Sequence, residues 1–228
     1  MENQVTNFQN KENSPLKKKT YYHLVLDRSG SMKSCWDEGK QVIDQQIKDL
    51  HRIQAENIDS EIIFSICAFN QDVHFPETLM NIETAKIDWT SINPNGLTAL
   101  YDAIVESIEF IKIKAEIGLE ENNSDVVMLI LTDGHENASK KYFKHDVKEM
   151  IEACEQTEKW NFLFLGAGLD VTEVTKAFDR GRRNSFNFDK SQMASAMCMV
   201  SEELSDFVKS KNSGTKKRDF FDDGDLSF

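Results

Sequence analysis

The chain has 228 residues, of which 29% are charged, and its formal net charge is −12. A chain of this length accommodates one domain whose core is large enough to fold without disulfide bridges. The negative charge argues against nonspecific binding to nucleic acid or to anionic membranes. Because no apolar run approaches the length of a membrane span and no signal-peptide pattern opens the sequence, we expect a cytoplasmic protein.

The four cysteines are widely spaced, and none belongs to a C-x-x-C motif. Cys67 lies in an apolar run, while Cys154 and Cys198 lie in helical patterns rich in apolar residues. We therefore predict buried free thiols, which suit a reducing compartment.

Strand and helix patterns alternate along residues 20–210, between a polar arm at residues 1–19 and an acidic, aromatic tail at residues 211–228 that we expect to be flexible. The first half predicts a strand ending at Asp27, a helix at 38–56, a strand at 62–69, an antiparallel strand from Val73, linking structure at 77–95 and a helix at 99–114. The second half predicts a strand at 126–132, a helix at 141–159, a strand at 160–165, a short helix at 170–178, a short strand at 185–188 and a closing helix at 191–210. This order predicts an α/β fold: a Rossmann-like, doubly wound and mostly parallel sheet with one antiparallel edge strand and helices on both faces.

Oxygen-bearing side chains lie in three of the loops that join these predicted strands and helices. Asp27, Ser29 and Ser31 occupy the turn after the first strand, Thr98 lies just before a helix, and Asp133 follows the apolar strand at 126–132. Parallel sheets bind ligands at the carboxyl ends of their strands. Carboxylate and hydroxyl oxygens suit a small hard cation such as Mg²⁺. Taken singly, Asp27 or Thr98 also suits a helix cap, and Asp133 with the following glycine suits a turn.

The pattern Asp27-x-Ser29-x-Ser31, followed by Thr98 and Asp133, resembles the D-x-S-x-S signature of von Willebrand factor A (vWA) domains and their metal-ion-dependent adhesion site (MIDAS). The phrases at 131–139 and 164–170 are similar to a group of bacterial and phage cytoplasmic vWA proteins. The resemblance covers about residues 20–209 and implies the vWA fold.

The same resemblance implies a role for each residue of the pattern. Ser29 and Ser31 would bind the metal directly, and Thr98 would do so in the ligand-occupied form. Asp27 and Asp133 would act mainly through bound waters. The implied metal is Mg²⁺, with Mn²⁺ as the alternative, and the implied partner is a protein that presents Asp or Glu to the open coordination position.

Residues near this site and at the C-terminus give further hypotheses. Arg28, His135 and Glu136 are candidates for a partner-binding rim, although a solvated loop is the favoured explanation for His135 and Glu136, and an internal ion pair explains Arg28 equally. The tail containing Asp225, Leu226 and Phe228 is similar to the acidic tips of bacterial single-stranded-DNA-binding proteins. It is therefore a candidate docking element, with an ordinary disordered tail as the alternative.

An enzymatic function is disfavoured. Phosphoryl transfer on Asp27 usually requires a second acid two residues later, where this chain has Ser29. No G-x-S-x-G motif surrounds Ser29 or Ser31, and the sequence has no P-loop. Two binding functions remain: a metal-dependent interaction module serving a larger intracellular complex, or an adaptor whose metal is structural and whose tail docks the partner. The sequence leaves the oligomeric state open.

Overall fold

The computed structural model describes residues 17–120, 123–167, 184–215 and Phe220. Within these residues one sheet has the strand order β3-β2-β1-β4-β5-β6. Its strands are β1 Lys18–Asp27, β2 Ser60–Phe69, β3 Val73–Asn81, β4 Ser124–Thr132, β5 Trp160–Ala167 and β6 Ser185–Phe188. The α-helices of the described residues are α1 Trp36–Glu56, α2 Leu100–Glu120, α3 Lys144–Gln156 and α4 Met193–Asn212.

The sheet confirms the predicted mixture of strand directions. All neighbouring pairs are parallel except β2 and β3, which pair antiparallel at one edge. From β1 the chain first moves outwards through β2 and β3, and then returns to β4 on the other side of β1. The loops after β1 and β4 therefore diverge and leave a crevice between them, which is where open α/β sheets bind ligands.

Hydrophobic clusters cover both faces of the sheet, which explains the continuous apolar run at residues 24–26 of β1. Leu24 and Leu26 face the cluster built with α1 and α4, whereas Tyr21 and Val25 face the cluster built with α2 and α3. Neighbouring side chains of a strand point to opposite faces, so a strand that is covered on both sides favours apolar residues at successive positions. The predicted helices on both faces are thus confirmed.

Several element boundaries differ from the predicted ones. β3 continues to Asn81, through a region predicted to be linking structure, and it accommodates Pro76 because an edge strand has one side free of ladder hydrogen bonds. Helix α3 begins at Lys144 and not at Lys141, because the Asp102 carboxylate accepts the backbone N–H groups of residues 140–142 and holds them outside the helix. Helix α2 extends to Glu120. The short helix predicted at 170–178 lies outside the described residues.

The cysteine prediction is correct for three residues and wrong for one. All four cysteines are free, and Cys35, Cys67 and Cys154 are buried, whereas Cys198 is exposed. The buried face of helix α4 includes Met193 and Met197, and Cys198 lies outside that face.

Phe220 brings part of the predicted tail onto the domain. Its side chain is buried, its ring stacks on Phe207 with 5.2 Å between centroids, and its backbone N–H donates to Asn184 Oδ1. Asp225, Leu226 and Phe228 lie outside the described residues, as do residues 1–16 of the arm. Among the helices that the structure describes, none is both long and apolar enough to cross a membrane.

Candidate metal centre

Asp27 is the buried centre of the site in the crevice between β1 and β4. Its Oδ1 accepts the backbone N–H of Ser29 at 2.7 Å, and its Oδ2 accepts the hydroxyl of Thr132 at 2.6 Å. Thr132 is the last residue of β4, so the carboxylate joins the ends of the two strands that border the crevice. Burial raises the pKa of Asp27, the nearby charge of Asp133 raises it further, and the hydrogen bonds from Thr132 and Ser29 oppose that rise.

Ser29, Ser31 and Asp133 form one hydrogen-bonded chain beside Asp27. The hydroxyl oxygens of Ser29 and Ser31 are 2.9 Å apart, and Ser31 Oγ donates to Asp133 Oδ1 at 2.6 Å. The side chain of Asp133 has no exposed surface. The structure thus brings together two loops that are about a hundred residues apart in the chain.

Thr98 approaches the same point from a third loop. A Cβ built on Gly134 would lie 2.8 Å from Thr98 Oγ1 and 3.4 Å from Asp27 Oδ2, so the hydroxyl and the carboxylate border one small volume. Asn137 holds the backbone of Thr98 in place: its Oδ1 accepts the Thr98 N–H at 2.9 Å, and its own N–H donates to the Thr98 carbonyl at 3.0 Å. The five residues of the predicted pattern therefore lie together.

The loop that carries Thr98 is tied to its neighbours by backbone contacts. Gly30 N–H donates to the Gly96 carbonyl at 3.0 Å. Gly96 has a φ of +77°, a backbone conformation that favours glycine, and a Cβ there would lie 1.8 Å from Gln71 Oε1 and displace that side chain. Buried Asn70 donates to both the carbonyl and the side-chain oxygen of Asn95, at 3.0 and 2.8 Å. These contacts fix how far Thr98 stands from the Ser29 turn.

Lys190 is a residue of the site that the sequence did not indicate. It follows β6, and its ammonium group donates to a carboxylate oxygen of Asp133 and also to the Ser31 carbonyl at 3.0 Å and Ser34 Oγ at 3.2 Å. Among the described residues it is the one cationic side chain in ion-pair contact with a carboxylate of the site. Its distance along the chain from every other site residue left no local pattern to detect.

The three predicted rim residues occupy different environments. His135 is exposed beside the site. The Glu136 carboxylate is occupied by its own loop: it accepts the N–H groups of Tyr101, Ala138 and Ser139 at 3.0, 2.9 and 2.8 Å, and the Ser139 hydroxyl at 2.7 Å. Its contacts are those of an organiser of the loop after β4.

Arg28 is half-buried and is held through its backbone. Its N–H donates to the Phe69 carbonyl at 2.7 Å, and its carbonyl accepts the Asn95 N–H at 2.9 Å. The guanidinium makes a long contact, 3.4 Å, with the Asn93 carbonyl, and it forms no ion pair with any residue that the structure describes.

The donor set of the site suits a hard cation. No group of three or more His, Cys, Asp and Glu side chains suited to a metal ion occurs among the described residues. The converging groups are instead two carboxylates and three hydroxyls, which are the oxygen ligands that Mg²⁺ and Mn²⁺ prefer.

No protein-family model matches the sequence, and no curated protein is similar to it in sequence. Solved structures are similar in fold. BatB from Bacteroides thetaiotaomicron has a TM-score of 0.59 at 16% identity, over 84% of this chain and 100% of that chain. The von Willebrand factor type A structure from Catenulispora acidiphila has a TM-score of 0.52 at 15% identity, over 83% of this chain and 43% of that chain.

PTMP1 from the mussel byssus, in a structure with a zinc-occupied MIDAS motif, has a TM-score of 0.58 at 14% identity, over 81% of this chain and 48% of that chain. The chain thus spans about half the length of the mussel protein and somewhat less of the Catenulispora one. At these identities the likeness establishes the fold, and the fold is that of a vWA-like domain.

Proposed function

We propose that this vWA-like domain is a divalent-metal-dependent protein interaction module and not an enzyme. The observation that carries the proposal is the convergence of Asp27, Ser29, Ser31, Thr98 and Asp133 from three separate loops. Ser29, Ser31 and Thr98 would hold the metal through their hydroxyls, and Asp27 and Asp133 would supply negative charge through bound waters. Mg²⁺ is the proposed ion, and Mn²⁺ is the alternative.

In the proposed site, this protein supplies some of the metal ligands and a partner supplies another. When bound, the metal supplies a coordination position for an external oxygen ligand. Because the direct protein ligands in this proposal are neutral hydroxyls, the bound ion keeps most of its charge and attracts a carboxylate. A partner protein would provide that carboxylate from an Asp or Glu. The mussel protein with its zinc-occupied MIDAS supports a divalent ion at this position of the fold.

The surface beside Thr98 supports contact with a protein partner. Leu97 is 56% exposed although it is a large apolar residue, and it directly precedes Thr98. A partner that delivers a carboxylate to the site would also cover Leu97. Leu97→Ser should therefore weaken partner binding and leave metal affinity unchanged, since the Leu97 side chain contributes no oxygen ligand. Loss of metal affinity in Leu97→Ser would contradict the proposal that Leu97 contacts the partner and not the metal.

We place this function in the cytoplasm, as a subunit or adaptor of a larger complex. The free thiols of buried Cys35, Cys67 and Cys154 and of exposed Cys198 support a reducing compartment.

A second candidate is an adaptor whose metal is structural and whose tail docks the partner through Asp225, Leu226 and Phe228. The burial of Phe220 against Phe207 favours this alternative, because it anchors the chain to the domain directly before the acidic segment 221–228. In this alternative the partner is retained when the metal site is disabled.

Co-purification from the native cells separates the two candidates. Tagged wild-type protein, Thr98→Ala and a variant truncated after Phe220 are compared in Mg²⁺ and in EDTA, with the eluates identified by mass spectrometry. Thr84→Ala is the matched control, because Thr84 is an exposed threonine after β3 whose hydroxyl donates to the Asn81 carbonyl, away from the metal centre. The proposal predicts partners that are lost in EDTA and in Thr98→Ala but kept in Thr84→Ala. Partners that are lost only on truncation would establish the tail adaptor instead.

A further inference from the structure

Lys190 links two parts of the molecule that share no sequence neighbourhood. It begins the 3₁₀ turn Lys190–Gln192 between β6 and α4, and its ammonium group reaches the turn after β1. There it donates to the Ser31 carbonyl at 3.0 Å, to Ser34 Oγ at 3.2 Å and to a carboxylate oxygen of Asp133. The three acceptors use all three N–H donors of the ammonium group.

The contact with Asp133 is the one that bears on the metal. One Asp133 oxygen accepts the Ser31 hydroxyl at 2.6 Å, and the other accepts Lys190, so both oxygens are engaged within the protein. The Asp133 side chain is completely buried, whereas the Lys190 side chain is 32% exposed. A buried carboxylate needs a positive charge or several hydrogen-bond donors beside it. Lys190 supplies the charge.

We propose that Lys190 is a built-in counter-cation of the metal centre: its ammonium group neutralises Asp133 in the metal-free protein and lowers the affinity of the site for divalent metal. This inference rests on the proposed metal function. Its physical basis is that the ammonium group and a divalent ion are drawn to the same carboxylate and repel each other. A metal must therefore bind against a positive charge that the protein already holds at Asp133.

Titration of the metal-free full chain with MnCl₂, followed by calorimetry, tests the inference. Lys190→Met removes the charge and keeps an unbranched side chain, and Lys190→Arg keeps the charge. Lys33→Met is the matched control, because Lys33 is an exposed lysine of the same turn as Ser31 and forms no ion pair among the described residues. This control measures the effect of removing one positive charge near the site without removing the contact to Asp133.

We expect Lys190→Met to bind Mn²⁺ at least about tenfold more tightly than wild type, which corresponds to about 1.4 kcal/mol, because the variant no longer repels the ion with an ammonium group. Lys190→Arg and Lys33→Met should stay within roughly threefold of wild type. Unchanged or weaker binding by Lys190→Met, with wild type binding normally, overturns the inference alone. If neither wild type nor Lys190→Met binds Mn²⁺, the proposed metal function fails and the inference fails with it.

Thermal unfolding in EDTA provides an independent measurement without metal. Lys190→Met leaves buried Asp133 without its cation, so its melting temperature should fall by several degrees relative to Lys33→Met. Saturating MnCl₂ should then raise the melting temperature of Lys190→Met more than that of wild type, because tighter binding stabilises the folded state more. Equal melting temperatures of the two methionine variants in EDTA would show that Lys190 does not neutralise Asp133, and would overturn the inference.

Discussion

A single methyl group at Gly134 perturbs the proposed metal centre without changing any of its ligands. A Cβ at this position would lie 2.8 Å from Thr98 Oγ1 and 3.4 Å from Asp27 Oδ2. Nonbonded carbon contacts are favourable at about 3.5–4.0 Å, so the Thr98 hydroxyl has to retreat by about half an ångström or more. Asn137 holds the backbone N–H and carbonyl of Thr98, so the hydroxyl moves away mainly by rotation of the Thr98 side chain, which takes it out of its present position.

Gly134→Ala should therefore lower both metal affinity and stability. Displacing a metal-site group typically costs about 10- to 100-fold in affinity, and overpacking costs about 1–3 kcal/mol in the free energy of unfolding, with the lower end expected at half-buried Gly134. Titration with MnCl₂ measures the first quantity, and urea unfolding in EDTA measures the second.

Gly39→Ala is the matched control for this experiment. Gly39 is buried in α1, but a Cβ there would meet only Met193 Sδ at 3.5 Å, an ordinary contact. Alanine is favoured over glycine in a helix interior by about 1 kcal/mol, so this variant should be at least as stable as wild type and should bind Mn²⁺ normally. If Gly134→Ala matched wild type in both measurements, Thr98 and Asp27 would not border Gly134 in the way described, and the reasoning would be refuted.

Three further predictions concern residues around the same framework. Because burial raises the pKa of Asp27, the folded protein holds that proton more tightly than the unfolded chain does, and metal-free stability falls as pH rises through the raised pKa. Asp27→Asn should thus raise the melting temperature in EDTA at neutral pH while abolishing Mn²⁺ binding, and a lower melting temperature would contradict this. Glu136→Ala should lose about 2–3 kcal/mol in urea unfolding, because it strands the loop donors that its carboxylate satisfies; no loss would show that these bonds are dispensable. Phe220→Ala should lose about 3 kcal/mol by the same assay, because it empties a buried site against Phe207, and wild-type stability would place Phe220 outside the core.

The local patterns of the sequence determined most of the fold. A continuous apolar run in β1 required a strand covered on both faces, and helical spacing identified the core faces of α2 and α4. The resemblance of the Asp27-x-Ser29-x-Ser31 pattern to the vWA signature also identified Thr98 and Asp133 from the sequence, and each of these residues stands at the end of a strand or the start of a helix. The topology of a parallel sheet then requires such ends to meet at one edge.

Other features depend on contacts between residues that are distant in the sequence, and only the tertiary structure shows them. Helix α3 begins later than predicted because the Asp102 carboxylate of α2 accepts the backbone N–H groups of residues 140–142. The helical propensity of residues 141–143 contains no information about this distant carboxylate. Glu136 was a candidate for the partner-binding rim, and only the tertiary structure shows that its carboxylate accepts the N–H groups of its own loop. Phe220 looked like part of a tail, yet it fills a gap against Phe207.

Lys190 shows the physical reason for this division most clearly. Strand and helix periodicity arises from interactions within a few residues, so the sequence carries it in every short window. Lys190 and Asp133 are 57 residues apart in the sequence, and they are in contact because β6 and α4 place the lysine beside the loop that carries Asp133. Which charge stands next to a buried carboxylate is therefore determined by packing, and only the folded chain reveals it.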